Sequence, residues 1–188
     1  SAEFNLDTGI TVENYIADLV SVIDSTGEKN VHYAGESLGG ILGMVLAAEH
    51  PDRIRTLSLM AAPLVISETT QKNFAFGHPT WQDALKQLGS QGWSNAANAG
   101  HRFPPDADPQ LTRWFSDEMG ANKVEVMIAM SRLAAKVDAK PFLSRIEAPV
   151  LGLYPKGGSI VSDDQEEYLK ANVRDLRIVH MPTRYHMV

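Results

Sequence analysis

From Val12 to Ser25 the apolar side chains return at every third or fourth position: Val12, Tyr15, Ile16, Leu19, Val20 and Ile23. That spacing predicts a helix with one buried stripe, Thr11 as its N-cap and Gly27 as a left-handed stop. Val31-His32-Tyr33-Ala34-Gly35 predicts a short strand, and Ile41 to Glu49 a helix halted by His50-Pro51. Further strands are predicted at Ile54–Met60, Pro149–Tyr154 and Leu176–Met181. This alternation predicts an α/β architecture with a mostly parallel sheet. The pattern changes over residues 65–143, which hold all three tryptophans (Trp81, Trp93, Trp114). Helical periodicity over Trp81–Leu88, Gln110–Met119 and Val124–Val137 predicts a helical cap there rather than a loop. The expected division is therefore a core of residues 1–64 and 144–188 with a cap of residues 65–143.

Composition narrows the function. Seventeen Lys and Arg against 23 Asp and Glu leave a net charge of −6, with no basic cluster, which argues against nucleic-acid partners. The longest apolar run, around Gly43 to Ala48, is far short of the ~20 residues that span a bilayer. The 188 residues suit one domain, and 44% hydrophobic content suits a folded one. Cysteine is absent, which excludes disulfides, zinc–thiolate sites and a cysteine nucleophile. Ser1-Ala2-Glu3-Phe4 has no signal-peptide character, so a cytoplasmic location is the expectation.

The chemistry concentrates in Gly35-Glu36-Ser37-Leu38-Gly39, a G-x-S-x-G pattern between a predicted strand and a predicted helix. A serine on so sharp a turn adopts a strained backbone, and glycines at both flanks are expected to relieve the crowding. The turn would lift the Ser37 hydroxyl above the sheet edge. It would also aim the Leu38 N–H, at the positive end of the next helix, toward a developing oxyanion. A serine nucleophile needs a general base. Of six histidines, His32 and His180 fall in predicted strands, His50 precedes a proline, and His78 and His101 belong to the cap. His186 instead follows the last strand by five residues, on a loop at the carboxyl edge of a parallel sheet, the same rim as Ser37.

These segments, with Ala48-Glu49-His50-Pro51-Asp52-Arg53-Ile54 and Ile146-Glu147-Ala148-Pro149-Val150-Leu151, resemble the α/β-hydrolase fold superfamily. The likeness covers nearly the whole chain outside the cap. It implies that Ser37 follows the family's fifth strand and His186 its eighth, so that this chain supplies strands five to eight. It also implies a longer protein of roughly 270–290 residues, whose preceding segment, or a partner chain, would complete the sheet and donate the second oxyanion N–H. Without it the strand at Val31–Gly35 would be an open edge.

One part of the family's pattern is missing. The catalytic acid usual after the seventh strand is replaced by Gly158, and the alternative place after the sixth reads Ala61-Ala62-Pro63. Asp163 and Asp164 are near, but Ser162-Asp163-Asp164-Gln165 suits a capping box at a helix start. Glu68 is a further candidate, while Glu36 is expected to line the pocket or touch neighbouring loops. The resemblance implies a serine hydrolase of a carboxylic ester or lactone, with Ser37 as nucleophile, His186 as base and Leu38 in the oxyanion hole. Its small-molecule substrate is expected to be hydrophobic, with no cofactor and no metal. The alternatives are a C–C bond hydrolase or acyltransferase using the same residues, or a non-catalytic ligand-binding or receptor protein on the same fold.

Overall fold

The computed structural model describes residues 5–99, 102–158 and 160–187. In chain order its elements are α1 (Leu6–Gly9), α2 (Val12–Ser25), β1 (Val31–Glu36), α3 (Leu38–Glu49) and β2 (Ile54–Met60). They continue with α4 (Glu68–Phe74), α5 (Trp81–Asn98), α6 (Pro109–Gly120), α7 (Val124–Ala134), β3 (Val150–Pro155), α8 (Asp163–Asn172) and β4 (Leu176–Met181).

The four strands form one sheet in the order β1-β2-β3-β4, every pair parallel. Parallel neighbours require crossovers, which α3, the α4–α7 segment and α8 supply. Among the described residues β1 pairs only with β2. The stripe predicted for α2 is present: Ile16 and Ile23 are buried, Thr11 Oγ1 accepts from Asn14 N, and Gly27 has φ 74°. Residues Gly40 to Ala48 of α3 are buried on every side, as befits a helix enclosed by the sheet, α2 and the 3₁₀ turn Lys140–Arg145. Its Ile41, Met44, Val45 and Leu46 pack with Leu57, Leu59, Leu143 and Tyr154 into the main core.

The α4–α7 segment leaves the core and returns through adjacent backbone. Ala139 N donates to Leu64 O at 3.0 Å, and Val65 and Asp138 form an isolated antiparallel bridge. Two buried side chains pin this neck. Gln165 Oε1 accepts from Leu64 N at 2.6 Å and Val65 N at 3.0 Å, and Tyr154 Oη donates to Ala62 O at 3.0 Å.

One local expectation needs correction. The capping box at Ser162 does not form: Ser162 makes no side-chain cap, because Gln165 turns inward to the neck instead of back to the helix start. The helix expected over Trp81–Leu88 ends at Gly89, whose φ of 67° and ψ of 174° are not helical, and a second helical stretch then completes α5 to Asn98. Ahead of it α4 opens the same segment, capped by Ser67, which accepts from Thr70 N. Around α5 a second, smaller core gathers Ala84, Leu85, Trp93 and Ala97.

Candidate active site

Ser37 lies between β1 and α3 with φ 53° and ψ −120°, one of three non-glycine residues at positive φ among those described. Such a conformation costs on the order of 1–3 kcal/mol and persists only where its surroundings enforce it. Here Ser37 N donates to Met60 O at 3.0 Å, and Ser37 O accepts from Gly40 N and Ile41 N to start α3. A Cβ at Gly35 would stand 2.5 Å from Gly39 O, so position 35 must be glycine. The expectation that Gly39 relieves the same crowding is not met, since a Cβ there would meet nothing within 4 Å. The second demanding glycine is Gly40, whose added Cβ would fall 2.3 Å from Ala62 Cβ. Close contact between α3 and the end of β2 explains it.

Ser37 and Leu38 open onto a cavity of about 270 Å³. Phe74, Trp81, Leu85, Trp93, Met127 and Met130 give it an apolar wall, and Arg102, Asn122 and Ser131 are its polar members beside the serine. The aromatic residues serve two purposes at once: Trp81 stacks on Trp93 at 5.7 Å within the small core, and both face the cavity. As the first residue of α3, Leu38 carries one of the N–H groups that a helix leaves without an internal partner.

The loop after β4 brings His186 inward, to 4% exposure. Its Nε2 lies 3.1 Å from Oε1 of Glu36, the residue before the serine. The approach lacks hydrogen-bond alignment, which leaves Glu36 Oε1 buried without a hydrogen-bond partner; the other ring nitrogen, His186 Nδ1, is likewise buried and unpaired. No hydrogen bond joins Ser37 to His186 among the described residues. Burial, and after it the Arg102 charge, push the His186 imidazole down to about 4. Burial raises the Glu36 carboxyl above its ordinary value, against the opposing pull of Arg102. Arg102 also accepts from Met187 N through its backbone carbonyl, at 3.0 Å, tying the histidine loop to the α5–α6 connection.

Ala61, Pro155, Gly158, Ile160, Val161 and Arg184 surround a small crevice at His186, so both places usual for an acid border the ring without a carboxylate. Asp163 and Asp164 occupy the first turn of α8, and Glu68 the first turn of α4. The carboxylate that does reach the imidazole is Glu36. Its signal in the sequence was adjacency to Ser37, and only the fold of the last loop completes it. The remaining histidines are elsewhere: His32 pairs with Thr56 at 2.7 Å, and His180 with Glu166 at 2.9 Å. His50 follows α3, His78 is half-buried outside the cavity lining, and His101 lies outside the described residues. No group of three or more metal-ligating side chains occurs among the described residues. No helix among them is long and apolar enough to cross a membrane.

The model of the alpha/beta hydrolase fold family matches residues 3–96, half of the chain. The chain belongs to the α/β-hydrolase fold family. Among its curated relatives is a pimeloyl-[acyl-carrier protein] methyl ester esterase of Neisseria meningitidis, 29% identical over 161 residues, which cover 81% of this chain and 60% of that protein. Another is a strigolactone esterase of Arabidopsis thaliana, 22% identical over 98% of this chain and 69% of its own length. An enol-lactonase from Burkholderia xenovorans superposes with a TM-score of 0.79 at 18% identity, over 94% of this chain and 66% of its own. The chain thus spans 60% of the length of the first curated relatives it matches.

Proposed function

We propose that this α/β-hydrolase fold protein hydrolyses a carboxylic ester or lactone through an acyl-enzyme on Ser37. The observation that carries this reading is the strained Ser37 turn, a nucleophile elbow, opening onto the 270 Å³ cavity while His186 packs against the adjoining residue. Residues 65–143 act as the cap over that cavity. The esterase relatives support the same class of reaction.

In this mechanism Ser37 Oγ attacks the ester carbonyl, and the imidazole of His186 takes its proton. The Leu38 N–H stabilises the tetrahedral oxyanion. The alkoxide leaves with the proton from His186, and water, deprotonated by the same ring, then releases the acid and restores Ser37. Glu36 supplies a carboxylate beside the imidazolium that forms in each step. This is the service that the absent acid would otherwise give from the other side of the ring.

A fluorophosphonate probe tests this reading. The expected result is one covalent adduct on Ser37, detected by mass spectrometry and absent from Ser37→Ala. The labelling rate adds a pH signature. A base whose pKa is lowered to about 4 stays neutral, and therefore competent, down to more acidic pH than an ordinary histidine. The rate should hold its plateau through pH 5 and halve only near pH 4, whereas a midpoint near 6.5 would contradict the buried imidazole.

A second reading, a ligand-binding protein without catalysis, is favoured by the crevice at Gly158 that lacks a carboxylate. Folded protein that resists the probe would decide for it.

A further inference from the structure

The polar atoms of the Ser37 cavity divide into those with partners and those without. Asn122 donates its side-chain amide to Glu118 O and Met119 O at 3.2 and 2.9 Å. Ser131 donates to Ile128 O and accepts from Gln82. Trp93 Nε1 donates to Phe74 O at 2.9 Å. Two nitrogens are left over: Trp81 Nε1 and Arg102 Nε are buried and have no hydrogen-bond partner.

Both are donors only, since neither indole nor guanidinium offers an acceptor. Leaving a buried donor unpaired costs about 1–3 kcal/mol, and a buried charge without a close partner costs more. Arg102 is half-buried, and its Nε is one of these unpaired donors. No carboxylate of the described residues lies within ion-pair distance of it. Its close partner is the Phe115 ring, with Cζ 5.6 Å from the centroid. Glu36 acts on it only at longer range. Trp81 makes the same point by contrast: its stacked neighbour Trp93 has satisfied its N–H, and Trp81 has not. In a cavity whose wall is mostly apolar, two unsatisfied donors, one of them on a cationic side chain, define what a ligand must bring. It must carry an acceptor, and preferably an anionic one.

We infer that Arg102 and Trp81 form a carboxylate-binding subsite, so that the substrate is an ester or lactone bearing a carboxylate remote from the bond that Ser37 attacks. The substrate class rests on the hydrolase reading, whereas the carboxylate preference is a binding property that stands without it. A carboxylate seated there would pair with the guanidinium, offset its charge and offer an acceptor to the indole N–H of the same cavity. The apolar wall would hold the connecting methylenes.

The test measures binding and turnover separately. Calorimetric titration of Ser37→Ala protein uses the monomethyl esters of succinic, glutaric and adipic acids. Each is compared with the neutral methyl ester that carries a methyl in place of the carboxylate. At least one acid is expected to bind about 10- to 100-fold tighter than its neutral twin, the range of a charge-assisted hydrogen bond. Adding Arg102→Gln should bring that ratio to within about twofold, and adding Trp81→Phe, which keeps the ring and removes the N–H, should lower it severalfold. Thermal melting checks that each variant is folded, and Trp81→Phe carries the test should Arg102→Gln fail to fold. Equal affinity for acid and neutral esters at all three lengths overturns the inference, as does a preference that survives both substitutions. A preference for the acids in protein that a fluorophosphonate leaves unlabelled would sustain the subsite while removing the hydrolase.

Discussion

Ser37→Ala is expected to lower kcat/KM for a short-chain p-nitrophenyl ester by about 10⁴-fold or more, with little change in thermal stability. The Ser37 side chain makes no cap bond to α3, so its oxygen contributes nothing that the helix needs. Alanine inherits the same backbone, held by the Ser37 N bond to Met60 O and by the turn into α3. Catalysis loses its nucleophile while the fold loses almost nothing. A steady-state assay beside a melting curve separates the two. Residual activity within tenfold of wild type would mean that the hydroxyl is not the attacking group. A fall in melting temperature of many degrees would mean that it is structural. His186→Ala should follow Ser37→Ala in activity, since the two act as a unit and their losses do not add.

Gly40→Ala is expected to cost about 2 kcal/mol or more, although alanine is ordinarily the better helix residue by about 1 kcal/mol. The new methyl would lie 2.3 Å from Ala62 Cβ and 3.0 Å from Gly35 O, so α3 must separate from the chain leaving β2. For a domain of this size such a loss lowers Tm by about 4–8 °C. Activity should fall further than stability, because Ala61, beside Ala62, borders the crevice at His186. Gly39→Ala is the internal control. Its added Cβ meets nothing within 4 Å, so it should melt no earlier than wild type. Equal melting of the two variants would show that the α3–β2 approach is not a steric constraint.

Much of this was legible in the sequence because it is local. The period of α2, the strand–turn–helix at Gly35-Glu36-Ser37 and the proline that stops α3 each depend on neighbours within a few positions. His186 could be singled out because its distance past the last strand fixes the sheet rim on which it emerges. What could not be read depends on contacts between distant segments. Gln165 fits a capping box by spacing, yet its burial against Leu64 and Val65 takes the side chain elsewhere. Glu36 becomes the partner of His186 only when residues 150 positions apart meet. The unpaired donors of Trp81 and Arg102 have no signature in one dimension, because an absent partner is a property of the packed interior.

The backbone bond from Met187 to Arg102 has a mechanical consequence. It fastens the segment bearing the proposed base to the rim of the proposed cap. A substitution that displaces Arg102 therefore reaches the neighbour of the imidazole through a single backbone bond.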